Sequence, residues 1–200
     1  MKLDEAIKHL RESSKKREFT QTFDLIVSLK NFDPKKPENK FSKEVVLPAG
    51  TGKTAKIGII SDKIEGAITK AQLDELSKSK MQMKKLVKKY DFFVCEAPLM
   101  VLVGKVLGRY LGPRGKMPKL LVPNQDPTRL TEELKNSVRI RAGDAAAIQT
   151  LVGREGMDDG EIKKNAERVL DELKKTLPKG ENQIKSVMLK MTMSKPVKIE

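Results

Sequence analysis

The clearest pattern in the chain is an alternation near its start. Phe23, Leu25, Val27 and Leu29 alternate with Thr22, Asp24, Ile26 and Ser28, which predicts a half-buried strand over 22–29. Before it, Leu3, Ala6, Ile7 and Leu10 recur at helical spacing against a charged face and predict an amphipathic helix over 2–16, ending in the basic tail Lys15-Lys16-Arg17. A polar, proline-punctuated loop covers 31–43. Two short apolar runs, 44–48 and 54–60, flank Gly50-Thr51-Gly52 and read together as a hairpin. A crossing segment follows at 61–68.

The pattern then changes. Helices around 73–76 and over 80–90, a short apolar strand at 92–95, a helix over 99–111, a helix centred on 131–135 and a strand at 138–141 follow one another. Short apolar strands alternating with helices indicate an α/β unit. Beyond Ala147 the first style returns: a strand at 148–152, a long helix over 158–177 with acidic residues at its positive end, and a second alternating strand over 184–193. In that last strand Val187, Leu189, Met191 and Met193 face one way, and Ser186, Met188, Lys190 and Thr192 the other; Met188 and Met191 read as packing residues. The fold class is therefore mixed α/β and α+β in two domains. Residues 1–63 and 150–200 form a discontinuous α+β domain, and residues 64–149 an inserted α/β domain.

Charge narrows the partner. The chain of 200 residues carries 41 Lys+Arg against 27 Asp+Glu, a net charge of +14, with a surplus in both expected domains. This favours a polyanion, nucleic acid before an anionic membrane. No apolar run approaches the roughly 20 residues of a membrane span, and the first ten residues begin an amphipathic helix, not a signal peptide. Cys95 is the single cysteine, so no internal disulfide forms and a reducing cytoplasm fits. Without Trp, and with 4% aromatic residues, a broad base-stacking platform is disfavoured.

Two motifs invite chemistry. Gly50–Thr54 (GTGKT) suggests a phosphate-binding loop and a nucleotide-dependent enzyme, but position 47, where the first glycine of that motif belongs, is Leu47, and the residues after Lys53 read as a strand rather than a helix. One histidine, His9, and one cysteine leave almost no material for a metal site or a nucleophile–base pair, so no catalytic residue, metal or cofactor is expected. The second motif, Leu107–Lys119, holds three glycines, two prolines and four cations. Gly104, Gly108 and Gly112 would line one smooth helix strip, and the basic loop beyond, with Arg109, Arg114, Gly115 and Lys116, suits contact with phosphates or another domain, or is a plain surface turn.

GRYLGPRGKMPK (108–119) resembles the signature of the ribosomal protein L-one family of the large subunit. REFTQTFDLIVSL (17–29), VVLPAGTGK (45–53), DFFVCEAPLM (91–100) and SVMLKMTMSKP (186–196) resemble family segments in the expected order, and KKPENKF (35–41) looks like the archaeal type. The resemblance implies a terminal α+β domain that grips large-subunit rRNA and an inserted Rossmann-like domain that binds no dinucleotide. It implies a cytoplasmic, ribosome-bound protein, monomeric when free, at the stalk beside the exit-site tRNA. Assistance in releasing deacylated tRNA and repression of its own mRNA are implied as well. On the family's motif positions, Phe19, Thr22, Asp24, Ser186, Thr192, Met193 and Ser194 are the implied RNA-binding residues. Arg154, Lys185 and Lys190 are added as phosphate contacts on charge and position. The family's usual TMGP is Thr192-Met193-Ser194-Lys195-Pro196 here, and Asp24 stands where glutamate is commoner.

Overall fold

The computed structural model describes residues 1–33, 36, 39, 41–64, 66–121, 127–143 and 145–199. Most of the KKPENKF insertion lies outside the described residues. The chain divides into two compact units, Met1–Lys53 with Asn136–Glu200, and Thr54–Lys135.

In the first unit a four-stranded antiparallel sheet has the order β7-β1-β8-β9, formed by β1 (Thr22–Leu29), β7 (Ala147–Arg154), β8 (Ile184–Met191) and β9 (Val197–Ile199). Period-two alternation decides its two faces. Phe23, Leu25, Val27 and Leu29 turn inward with Ile148, Val152, Leu189 and Met191. Helix α1 (Leu3–Ser13) contributes Ala6, Ile7 and Leu10 to that core, and α6 (Asp159–Thr176) contributes Ile162, Ala166, Val169 and Leu173. Each side chain as large as Phe23 or Leu25, fully buried, favours the fold by roughly 1.5–3 kcal/mol. Among the described residues of this unit, no helix packs on the other sheet face.

A two-stranded sheet joins the same core: β2 (Phe41–Val46) pairs antiparallel with β6 (Ser137–Ala142), matching Phe41 to Ala142 and Val45 to Val138. This corrects the expected hairpin. The strand after the glycine turn, β3 (Ile57–Ile60), leaves for the second unit, and the partner of β2 arrives some ninety residues later. The first unit therefore takes in 136–149 and releases Thr54–Lys63, shifting both expected boundaries.

The second unit is a parallel sheet in the order β3-β4-β5, with β4 (Phe92–Glu96) between β3 and β5 (Lys119–Leu121). Phe93 and Cys95 face α2 (Lys70–Ser77), α3 (Lys80–Lys89) and α4 (Ala97–Leu111), whereas Phe92 and Val94 face Leu130 and Leu134 of α5 (Pro127–Lys135). Helices on both faces explain why β4 is an unbroken apolar run. Gly58 is required by packing: a Cβ there would lie 2.9 Å from the Phe93 ring. Both β5 and β9, three residues each, were unmarked in the sequence pattern.

Candidate nucleic-acid interface

The uncovered sheet face reads in rows. Asp24 lies opposite Lys190 on one side and Leu151 on the other; Ile26 lies between Met188 and Gln149; Ser28 lies between Ser186 and Ala147. Thr22 pairs with Arg154, across an irregularity between Phe23 and Asp24 that shifts the register by one. Polar and cationic side chains alternate with short apolar ones, and all are half-buried or exposed. Met188 is thus a residue of this open face beside Ile26, not the packing residue expected, while Met191 is fully buried.

The start of β1 and the segment after β8 meet at one end of the face. Thr192 Oγ1 accepts from Thr22 N at 3.0 Å and lies 3.0 Å from Thr22 Oγ1. The Thr22 hydroxyl also favours the ionised form of the Asp24 carboxyl. Burial pushes the Asp24 carboxyl above its usual value, against the opposing pull of Lys190 and of that hydroxyl. Beyond Thr192 the chain turns: Ser194 N donates to Met191 O at 3.1 Å, and Ser194 Oγ accepts from Met191 N at 2.8 Å. The serine that replaces the family's glycine is tied into its own turn. Met193 projects outward, 60% exposed, and Phe19, three residues before Thr22, is 50% exposed. Arg154 Nε is buried without a hydrogen-bond partner among the described residues.

Of the expected contacts, the fold gathers Thr22, Asp24, Arg154, Lys190, Thr192, Met193 and Ser194 at this end, with Phe19 leading into it. Ser186 and Lys185 stand apart. They occupy the other end of β8, roughly 20 Å away at about 3.4 Å per residue. Ser186 pairs with Ser28, and exposed Lys185 borders a shallow recess lined by Lys30, Asn31 and Phe32.

Two supporting groups escaped sequence reasoning. Gln21, 1% exposed, donates from Nε2 to Lys15 O and accepts at Oε1 from Met193 N, while its backbone exchanges hydrogen bonds with Glu155. Its odd number was the available signal, since 21 shares the parity of the buried positions 23 to 29. Arg11 donates from Nε to Asp159 at 2.6 Å, from Nη1 to Glu155 O at 2.6 Å and from Nη2 to Met157 O at 2.5 Å, with its guanidinium over Phe23. It fixes the loop that follows Arg154.

The basic loop belongs to the second unit. Gly115 adopts φ +64°, so the turn requires a residue without Cβ strain there. Lys116 turns inward, its Nζ donating to Tyr90 O at 2.6 Å and Val87 O at 3.2 Å. It caps the C-terminus of α3, where a cation is favoured. Of the roles open to the loop, Lys116 therefore serves bracing, while Arg109 and Arg114 remain exposed. A Cβ on Gly104 or Gly108 would meet nothing within 4 Å among the described residues, so no backbone described in this unit packs on those two glycines. The Gly50–Thr54 loop leads into no helix. Asn165, fully buried, holds it by accepting from Ala49 N and donating to Gly50 O. It is an anchored turn without the helix N-terminus a nucleotide site needs.

A sheet open on one face, joined to a separate α/β unit in a strongly basic chain, defines a binding protein; no His/Cys/Asp/Glu cluster able to hold a metal occurs among the described residues. The chain belongs to the Ribosomal protein L1p/L10e family, whose model matches residues 10–195. It is 46% identical to the large ribosomal subunit protein uL1 of Thermococcus kodakarensis, over 100% of this chain and 97% of that relative. Identity to the protein of the same name from Pyrococcus horikoshii is 46%, over 100% and 95%. For Methanothermobacter thermautotrophicus it is 42%, over 98% and 97%. The chain is thus a ribosomal protein and not an enzyme, and its place is the ribosome in the cytoplasm. No helix among the described residues is long and apolar enough to cross a membrane.

Proposed function

We propose that the discontinuous terminal domain binds large-subunit rRNA through the end of the open sheet face built by Phe19, Thr22, Asp24, Arg154, Lys190, Thr192, Met193 and Ser194. The observation that carries this reading is the Thr22–Thr192 hydroxyl pair, which joins head and tail of the chain into one polar face. Hydroxyls and a carboxylate there match ribose 2′-hydroxyls, Met193 and Phe19 offer apolar surface to a sugar or base, and Lys190 with the half-buried Arg154 meets phosphate. Lys185 and Ser186 extend the contact only if the RNA runs the length of the strand. In the ribosome the protein stands at the stalk, aids release of deacylated exit-site tRNA, and off the ribosome, as a monomer, represses its own mRNA by binding a similar RNA fold.

Filter binding to a large-subunit stalk rRNA fragment tests this. Affinity falls with salt by roughly 0.7–0.9 log units per log unit for each phosphate contacted. Thr192→Val or Met193→Ala weakens binding by about 1–3 kcal/mol with folding intact. Salt-independent affinity, or full affinity in both variants, contradicts the assignment.

A further inference from the structure

The exit of α1 carries three consecutive cations, Lys15, Lys16 and Arg17, all exposed and outside any helix or strand. None of the three forms an ion pair among the described residues, unlike Arg11 with Asp159 or Lys163 with Asp4. Three adjacent like charges repel one another, and a polyanion relieves that repulsion.

Their place is fixed by two contacts to the recognition turn. Ser14 Oγ donates to Met191 Sδ at 3.1 Å, pinning the end of α1 to the end of β8. The buried Gln21 carboxamide then spans the gap: its nitrogen donates to Lys15 O at 3.5 Å and its oxygen accepts from Met193 N at 3.3 Å. One side chain thus ties the first residue of the basic run to the exposed Met193. Exposed Lys195 continues the positive charge beyond the turn, and among residues 15–20 the only acid is Glu18.

We propose that Lys15-Lys16-Arg17 is a phosphate-contacting arm for the RNA strand seated on the Thr192–Ser194 turn, and that Gln21 is the positioning residue that holds the arm there. This rests on the reading of that turn as an rRNA site and adds a second, electrostatic element to it. The turn supplies hydroxyl and apolar contacts that vary little with salt; the arm supplies much of the salt-dependent part.

The test uses the full chain and the stalk rRNA fragment, with affinity measured across a series of KCl concentrations. Substituting Lys15→Ala, Lys16→Ala and Arg17→Ala together lowers the log–log salt slope by about 2, at roughly 0.7–0.9 per phosphate contact, so the loss is large at low salt and shrinks at high salt. Gln21→Met keeps every charge yet also lowers the slope, because the arm is no longer held; a merely structural role would reduce affinity or melting temperature without moving the slope. Should Gln21→Met fail to fold, the triple variant, confined to exposed residues, still decides. A wild-type protein that binds the fragment alongside a triple variant of unchanged slope overturns the arm alone. A wild-type protein that does not bind the fragment overturns the site reading and the arm with it.

Discussion

The hydroxyls of Thr22 and Thr192, 170 positions apart in the chain, lie 3.0 Å from each other. Thr192 Oγ1 also accepts from Thr22 N at 3.0 Å, so one side chain from the tail holds both the backbone and the hydroxyl of the first strand. The two variants Thr22→Val and Thr192→Val should each destabilise the fold by about 1 kcal/mol, with the double variant costing less than both together by about 0.5–1 kcal/mol. Urea unfolding of the four proteins reads the coupling; strict additivity would mean that the pair does not hold head to tail.

Arg11 stabilises the neighbourhood from the buried side. Its planar fork serves one carboxylate and two carbonyls at once, a geometry that lysine cannot copy. Arg11→Lys should therefore cost roughly 1.5–3 kcal/mol despite keeping the charge. In hydrogen exchange the amides of residues 154–159 should lose protection. A melting temperature equal to wild type would show that the loop holds itself.

Asp24 gives a pH signature. Burial raises its carboxyl in the folded protein above the unfolded value of 3.8, so between those two values the native state holds the extra proton. Stability from this group is therefore lost as pH rises through that window, and at neutral pH the ionised carboxylate is a net cost. Asp24→Asn should raise the melting temperature at pH 7 and give little gain below pH 3.8. A variant that destabilises at pH 7 and is neutral below pH 3.8 would show that Lys190 and Thr22 outweigh the burial.

Lys116 separates bracing from recognition. Lys116→Met keeps the apolar stem but removes the cation from the end of α3, and should weaken the Thr54–Lys135 unit by about 1–2 kcal/mol. Affinity for the rRNA fragment should stay unchanged. A drop in its salt slope would instead make Lys116 a phosphate contact.

Much of this was legible because local physics leaves a periodic trace. The alternation of β1 assigned its two faces residue by residue, and Val187, Leu189 and Met191 did the same for β8. Pairing across the chain leaves no such trace. Gly50 and Gly52 do adopt positive φ, at +70° and +67°, but a turn says only that the chain redirects, not which strand returns beside it. That is why β2 was matched to β3 when its partner is β6. Among the proposed contacts, motif position singled out Thr192 and Met193 in advance, whereas the separation of Ser186 from them follows from strand length. Gln21 and Arg11 went unseen because their roles depend on carbonyls and amides of distant segments, and side-chain type alone does not encode those.

Backbone amide hydrogen exchange of the full chain, with and without the stalk rRNA fragment, tests the shared face most directly. The expected result is new protection appearing together over residues 19–28 and 186–194. Protection confined to one of these segments, or to residues 54–135 alone, would contradict the joining of head and tail into a single RNA-binding surface.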